Sequence, residues 1–237
     1  MVLQKAINIA GEVLDTNLDV DFKDFGNDWH QVALLHLMRS RQTLAGIKFL
    51  AAEQFFSPAE TLCRHLFELA VNIRYLSIDP VNRVPDYLEH YRVRASSESL
   101  HETDAKLQSL REQENHAEIS KLLIRGRSWM PLKNMCAELG WLGQYETIYR
   151  GSSEMAHGGA RTIGLEMAAL VSDQPMLQYV VSNALLKALT YHFWIEDVCC
   201  EVFPDMAADM KRNLRLFEQC RELEEELLEA IKGCGQQ

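Results

Sequence analysis

Residues 145–159, with the sequence YETIYRGSSEMAHGG, hold the densest group of side chains that could do chemistry in this chain. Arg150, Glu154 and His157 stand at i, i+4 and i+7, and Ser153 precedes His157 by four residues. On an α-helix these spacings place side chains on one face. An arginine on such a face could hold a phosphate or another oxyanion while the histidine exchanges a proton near neutral pH.

The same pattern also has a purely structural interpretation. Arg150 and Glu154 could form an exposed i,i+4 ion pair, which stabilises a helix by a few tenths of a kcal/mol. His157 would then lie in the last turn before Gly158 and Gly159, where a partly charged imidazole suits the negative end of the helix dipole. The spacing alone leaves both interpretations open.

A second polar group lies on the segment LCRHLFELAVNIRYLSIDP. Arg64 and Glu68 are one helical turn apart, with His65 and Asn72 beside them, on a helix that is otherwise apolar almost all round. Such a helix is usually buried, and buried charges are usually paired or functional. The group is therefore either a structural ion pair or part of a site that also includes Tyr149.

A metal site is a weaker alternative. Glu154-x-x-His157 is half of the motif of di-iron helical bundles, which needs a second Glu-x-x-His and two further glutamates. Glu68, His192 and Glu196 could supply other ligands, but the chain has no second Glu-x-x-His. We therefore predict no metal and no cofactor.

Composition limits the classes of function. The chain has 237 residues, 47% of them hydrophobic and 24% charged, and a formal charge of −10. That charge disfavours a general nucleic-acid-binding surface, although a small basic pocket remains compatible with it. The start lacks the pattern of a signal peptide, and no apolar run approaches the roughly 20 residues that span a bilayer. Six cysteines without a CxxC pair indicate a reduced, cytoplasmic protein that has no disulfides and does not associate with membranes.

The hydrophobic pattern predicts helices nearly throughout. Asp28 is the expected N-cap of one long helix, and Ser57 with Glu60 forms the S-x-x-E capping box of the next. The prediction is an all-α multi-helix bundle of about seven to nine helices in a single domain over residues 1–237, with the bundle core at 28–203. The helices are expected at 2–15, 28–55, 58–78, 143–157, 176–203 and 205–232, with a short one between Pro131 and Gly140 and one or two within 81–125.

The helices at 28–55 and 176–203 carry large apolar residues on more than one face, which predicts a homodimer. The alternative is that the terminal helices 2–15 and 205–232 cover those faces within one chain. The apolar residues concerned are Trp29, Leu34, Leu35, Leu37, Leu186, Leu189, Phe193 and Trp194.

Two segments together resemble a bacterial helical family catalogued as domain of unknown function 5677. The first is the Arg-x-x-x-Glu helix ending in Asp-Pro, and the second runs from Trp129 through Tyr-x-x-x-Tyr-x-x-x-Ser-x-x-x-His-Gly. The resemblance covers about residues 30–200. The architecture of that family is similar to the HEPN superfamily, whose ribonucleases use an Arg and a His with four to six residues between them, often across a dimer; Arg150 and His157 have six residues between them.

What the resemblance implies is a HEPN-like intracellular protein that binds or cleaves RNA or a nucleotide, in stress response or phage defence. Arg150 and His157 would be catalytic, without metal, and Arg64, Glu68, Tyr149 and Ser153 would bind. One departure is Gly151, where HEPN nucleases most often carry a polar residue. The alternative is a non-catalytic helical interaction protein with a structural Arg–Glu–His cluster. Whether the protein is an enzyme is left open.

Overall fold

A computed structural model describes residues 2–16, 27–95, 130–149, 175–204 and 207–234, together with residue 109. In these ranges the chain is almost entirely helical and forms no strand, which confirms the predicted all-α bundle. The helices are α1 (Val2–Asp15), α2 (Asp28–Ala52), α3 (Phe56–Ile78), α4 (Pro80–Ala95), α5 (Leu132–Glu138), α6 (Leu142–Gln144), α7 (Pro175–Val202) and α8 (Ala207–Cys234).

Helix α3 occupies the centre of the bundle, packed against both α2 and α7. Its side chains Leu66, Phe67, Ile73 and Leu76 are fully buried, because a helix that is apolar on most of its circumference needs neighbours on several sides. The predicted central position of this helix is confirmed. Asp79 ends α3, and α4 begins directly at Pro80, as the Asp-Pro pair indicated.

The N-terminus of α2 differs from the prediction. Asn27, and not Asp28, is the N-cap, because its extended backbone lets the side-chain oxygen accept a hydrogen bond from the His30 amide at 2.9 Å. Asp28 is instead the first helical residue, where its negative charge suits the helix dipole.

The predicted capping box at Ser57 is also wrong. Helix α3 begins at Phe56 after Phe55, so Ser57 already lies inside the first turn, and no side chain caps this end. Glu60 is instead buried and forms an ion pair with Lys187 of α7, with Nζ and Oε1 3.2 Å apart. A tertiary partner for the carboxylate has replaced the local hydrogen bond that the motif indicated.

The terminal helices cover the central ones. Helices α1 and α8 both pack on α7, and α8 buries Leu216, Cys220, Leu223 and Leu227 as predicted. Arg41 of α2 holds the end of α1 by donating to the carbonyls of Val13, Leu14 and Thr16 at 3.2, 2.5 and 2.8 Å. These carbonyls belong to the last turn of α1 and its end, where the helix itself supplies too few partners.

This packing accounts for most of the apolar residues that suggested a dimer. Leu34, Leu37, Leu186, Leu189 and Phe193 are buried within one chain. Trp29 and Trp194 are partly buried against the same core, and Leu35 alone of the eight is exposed. The homodimer and the single-domain organisation stay predictions.

The cysteines fit the reduced state that we predict. Cys63, Cys136, Cys199, Cys200 and Cys220 are free thiols, and all but Cys200 are buried. None of the helices in the described ranges is long and apolar enough to cross a membrane.

Candidate functional site

Three of the six predicted site residues lie in the described ranges, and they are in contact with one another. The Arg64 guanidinium donates to the Tyr149 hydroxyl at 2.5 Å, and its Nε lies 3.4 Å from Oε1 of Glu68. The same guanidinium lies over the Tyr149 ring, 4.3 Å from the ring centroid. The predicted meeting of the helix at 58–78 with the segment that carries Tyr149 is thus visible at these residues.

The local sequence explains the arrangement. Arg64 and Glu68 are one turn apart on α3, so both point to the same side of that helix. Tyr149 comes from a short π-helix, Tyr145–Tyr149, that follows α6. Its ring packs against Phe67 of α3 and stacks on Tyr145, with centroids 5.2 Å apart and planes 19° apart.

The π-helix is a correction to the sequence analysis, which assumed regular α-helical spacing from residue 143. A π-turn has more residues per turn than an α-helix, so side chains after it are rotated relative to the α-helical expectation. The α-helical spacing that we assumed therefore does not hold within residues 145–149.

Partial burial shifts the pKa values of ionisable side chains in and beside this cluster. The side chains of Arg64 and Glu68 are 22% and 34% exposed. Burial, followed by the nearby Glu68 carboxylate, raises the pKa of Tyr149 above its usual value, although Arg64 opposes this. Burial also lowers the pKa of His65, so this histidine favours its neutral form.

This arrangement suits recognition of a flat, negatively charged ligand. The two stacked tyrosines form an aromatic group, and the Arg64 guanidinium adds a positive charge over the Tyr149 ring. A guanidinium presents five donors in a rigid fork, so one arginine can serve a carboxylate, a phenol and an incoming anion together.

The other predicted site residues, Arg150, Ser153 and His157, lie outside the described residues, as does Glu154. We expect His157 to come within reach of Glu68, and we expect Arg150 to be more exposed than Arg64. Both stay predictions, because His157 and Arg150 are not described. The complete site of six residues also stays a prediction.

A second polar cluster, which the sequence analysis did not assemble, lies inside the bundle. Ser40 of α2 contacts His192 of α7, with Oγ and Nδ1 2.9 Å apart, and Nε2 of His192 lies 3.1 Å from Oε1 of Glu196. Ser40 and His192 have no exposed surface, and Glu196 is 5% exposed. The i,i+4 spacing of His192 and Glu196 on an apolar helix was the available signal, whereas nothing in the sequence pointed to Ser40.

The hydrogen bonds of this cluster indicate a structural role. Ser40 donates its single hydroxyl proton to the Leu37 carbonyl at 2.7 Å, so it must accept a hydrogen bond from Nδ1–H of His192. A nucleophilic serine would instead give its proton to the histidine. The cluster resembles a catalytic triad in its residue types, but its hydroxyl is committed to the backbone and sealed from solvent.

The side chains suggested as metal ligands do not come together in the described part of the fold. His192 and Glu196 lie in the core next to Ser40, whereas Glu68 is near Arg64 and Tyr149. Among the described residues, no three histidine, cysteine, aspartate or glutamate side chains are grouped so as to hold a metal ion.

Comparison with known proteins gives one match. The model of a family of unknown function, DUF5677, matches residues 30–172, a range that includes Arg64, Glu68 and Tyr149. No curated protein and no solved structure matches the chain.

Proposed function

The chain belongs to this family of unknown function, and on that premise we propose that it is a HEPN-like intracellular protein that binds or cleaves RNA or a nucleotide. The observation that carries the proposal is the contact of Arg64 with Tyr149, beside the stacked Tyr145. Because the guanidinium lies over the Tyr149 ring, the neighbouring Tyr145 ring is the aromatic surface for the base of a nucleotide, and Arg64 is the group for its phosphate.

The physical case rests on two contacts that nucleic-acid-binding proteins use in common. A base stacked on an aromatic side chain contributes about 1–3 kcal/mol, and it does so for every base because each has a π-face. A guanidinium matches the geometry of phosphate oxygens and binds them with charge-assisted hydrogen bonds. On this chain the aromatic rings and the guanidinium lie together, and the side chains of Arg64 and Glu68 beside them are partly exposed.

The residues that directly follow Tyr149 in the sequence carry the remaining groups of the proposed site. In a cleaving version, His157 serves as general base or acid at the phosphodiester, and Arg150 stabilises the charge that develops on the phosphorane. Ser153 supplies a further hydrogen bond to the ligand. No metal takes part in this scheme, and a two-fold partner completes the site.

The net charge of −10 sets the kind of ligand. A strongly acidic chain repels a long polyanion over most of its surface, and long nucleic acids bind through many phosphate contacts. We therefore propose a mononucleotide or a short single-stranded RNA as the ligand, in preference to a duplex.

The alternative is a non-catalytic interaction protein in which the cluster is structural. It is favoured by the engagement of the Arg64 guanidinium with both Glu68 and Tyr149. In that case Arg64 ties α3 to the π-helix and holds the surface that a partner recognises.

Binding of fluorescent AMP and of a labelled short RNA, followed by anisotropy, tests the proposal. We expect Arg64→Ala and Tyr149→Ala to weaken binding about tenfold or more, since each removes a contact of about 1.4 kcal/mol or more. Arg74→Ala is the matched control, because Arg74 is also a helix α3 arginine held by two carboxylates, Asp197 and Glu201.

Cleavage is measured on the same RNA in the presence of a chelator. Product that forms with a chelator and is lost in His157→Ala supports the ribonuclease; binding without product supports a binding protein. If neither AMP nor RNA binds, and Arg64→Ala changes only stability, the interaction protein is the correct interpretation.

A further inference from the structure

Arg39 is an exposed positive charge of α2 that forms no ion pair with a carboxylate in the described ranges. The other two cations of this helix have structural contacts, because Arg41 donates to the end of α1 and the Lys48 ammonium lies against α1. The only acidic residue of α2 is Asp28, three turns before Arg39, so the helix supplies no carboxylate for it. The Arg39 guanidinium is therefore able to receive an anion.

The packing of α2 against α3 places Arg39 next to His65. The connection between the two helices is only residues 53–55, so they run antiparallel. They approach closely at Gly46 and Leu62, where a Cβ on the glycine would lie 3.2 Å from Cδ1 of the leucine. Two turns back along α2 is Arg39, and one to two turns forward along α3 are His65 and Glu68.

The electrostatics agree with this placement. Burial is the main reason for the lowered pKa of His65, the Glu68 carboxylate opposes it, and the positive charge of Arg39 adds to it. Such an effect requires the guanidinium to be close to the imidazole. Arg39 and His65 therefore lie beside the ion pair that Glu68 forms with Arg64.

The charged groups along this contact of α2 with α3 sum to a positive value in an acidic chain. Arg39 and Arg64 contribute two positive charges and Glu68 one negative charge, which leaves +1, whereas the whole chain has −10. With its lowered pKa, His65 is neutral near pH 7, and its ring can donate one hydrogen bond. An anion that approaches Arg64 therefore meets a second guanidinium and a further donor.

We propose that Arg39 and His65 bind a second phosphate group of the nucleotide, so that the ligand carries a diphosphate or longer phosphate chain. This inference rests on the function proposed above and makes its ligand more specific. The base stacks on Tyr145 and the first phosphate binds Arg64. The next phosphate binds Arg39, whose fork of donors matches phosphate oxygens, and accepts a hydrogen bond from His65.

Competition of AMP and ADP against fluorescent AMP, followed by anisotropy in the presence of a chelator, tests the inference. ADP should bind about tenfold more tightly than AMP, because its second phosphate gains charge-assisted hydrogen bonds. Without such a site, repulsion from a chain of charge −10 would make ADP the weaker ligand. Binding of AMP with equal or weaker binding of ADP would overturn the inference and leave the proposed function standing.

Variants then place the second phosphate. Arg39→Ala should reduce the ratio of ADP affinity to AMP affinity from about ten to about one, and His65→Ala should reduce it severalfold. Both side chains are at least partly exposed, so folding should be preserved. Arg215→Ala is the matched control, because it removes an exposed arginine from α8, which packs on α1 and α7, and it should keep the ratio. A ratio that survives Arg39→Ala would overturn the inference.

Inorganic pyrophosphate separates the failure of this inference from the failure of the proposed function. Its binding, measured by titration calorimetry, needs no aromatic contact. If neither nucleotide binds, but pyrophosphate binds the wild type and does not bind Arg39→Ala, the proposed function is wrong and the phosphate site at Arg39 is correct. If neither the nucleotides nor pyrophosphate bind at millimolar concentration, both are overturned.

Discussion

Two clusters in this molecule each join a glutamate to two other polar side chains, and they differ in their access to solvent. Ser40, His192 and Glu196 lie inside the bundle, where at most 5% of any of them is exposed. Arg64, Glu68 and Tyr149 lie at a boundary, where roughly a quarter to a third of each charged side chain meets water. Access decides whether such a cluster holds the fold together or can receive a ligand.

The energetic consequences should differ in the same way. A buried polar group that loses its partner keeps the full cost of its desolvation, whereas a half-exposed one turns to water. Substitutions in the inner cluster should therefore act on stability, and those in the outer cluster should act on binding.

The largest effect is expected from His192→Ala. It leaves Glu196 and Ser40 without their shared partner in a site that water does not reach, and we expect the free energy of unfolding to fall by about 3–5 kcal/mol. Chemical denaturation measures this. As a control, the double change His192→Leu with Glu196→Leu removes the imidazole and the carboxylate together and should recover much of the loss. If His192→Ala lowered the free energy of unfolding by less than about 1 kcal/mol, the inner cluster would contribute no more to stability than the outer one, and the proposed difference between them would be wrong.

A pH effect of comparable size is expected from a second buried histidine, His36. Burial lowers the pKa of His36 to about 4, while the unfolded chain has the ordinary value near 6.5. Between these values the unfolded state binds more protons, so stability is complete above pH 6.5 and falls as the pH decreases toward 4. The difference corresponds to about 3 kcal/mol.

Denaturation midpoints of wild type and His36→Gln, measured from pH 7 to pH 4, test this assignment. The variant should lose most of the pH dependence in that window. A wild-type slope retained in full by the variant would assign the effect to other groups. Nδ1 of His36 donates to the Val32 carbonyl at 2.8 Å, which a glutamine amide can also do.

The exposed face of α2 allows a prediction about assembly. Leu35, Met38 and Phe49 are 62%, 42% and 64% exposed, and with Gln42 and Ala45 they follow a three-four spacing along one side of the helix. We expect a homodimer with a mass near twice 27.2 kDa, and Leu35→Glu should shift it to the monomer. Light scattering at micromolar concentration measures both.

Leu228→Glu is the control for that experiment, since Leu228 is similarly exposed on α8. A wild-type mass of one chain would rule out the dimer, and with it any active site shared between two chains. A dimer that tolerates Leu35→Glu would place the interface elsewhere.

The smallest effect on stability is expected from Arg64→Ala. The ion pair with Glu68 is partly solvated, and exposed pairs of this kind contribute about 0–1 kcal/mol. We expect a loss of about 1 kcal/mol or less in chemical denaturation, together with the loss of nucleotide binding proposed above. A loss above about 3 kcal/mol would make this cluster structural, like the inner one.

The sequence by itself determined the helical elements and most of their buried faces. Apolar residues recurring every three or four positions identified the stripes that contain Leu66, Ile73, Leu185 and Leu223, all of which are buried. This signal is local, because a helix repeats every 3.6 residues whatever it packs against. The end of α3 at Asp79-Pro80 could also be predicted, since proline restricts the backbone of the residue before it.

Tertiary structure decided which partner each polar side chain has. Glu60 suited a capping box by its spacing, yet Lys187 from a distant helix is its partner. Ser40 had no sequence signal, because its contact with His192 joins residues 152 positions apart. Contacts between residues so far apart in sequence depend on how the helices pack, and the pattern of residues within one helix does not predict them. Arg64 and Glu68 could be paired from their spacing on one helix, and the sequence suggested Tyr149 for the same site. Only the fold shows which atoms meet, namely the Arg64 guanidinium and the Tyr149 hydroxyl.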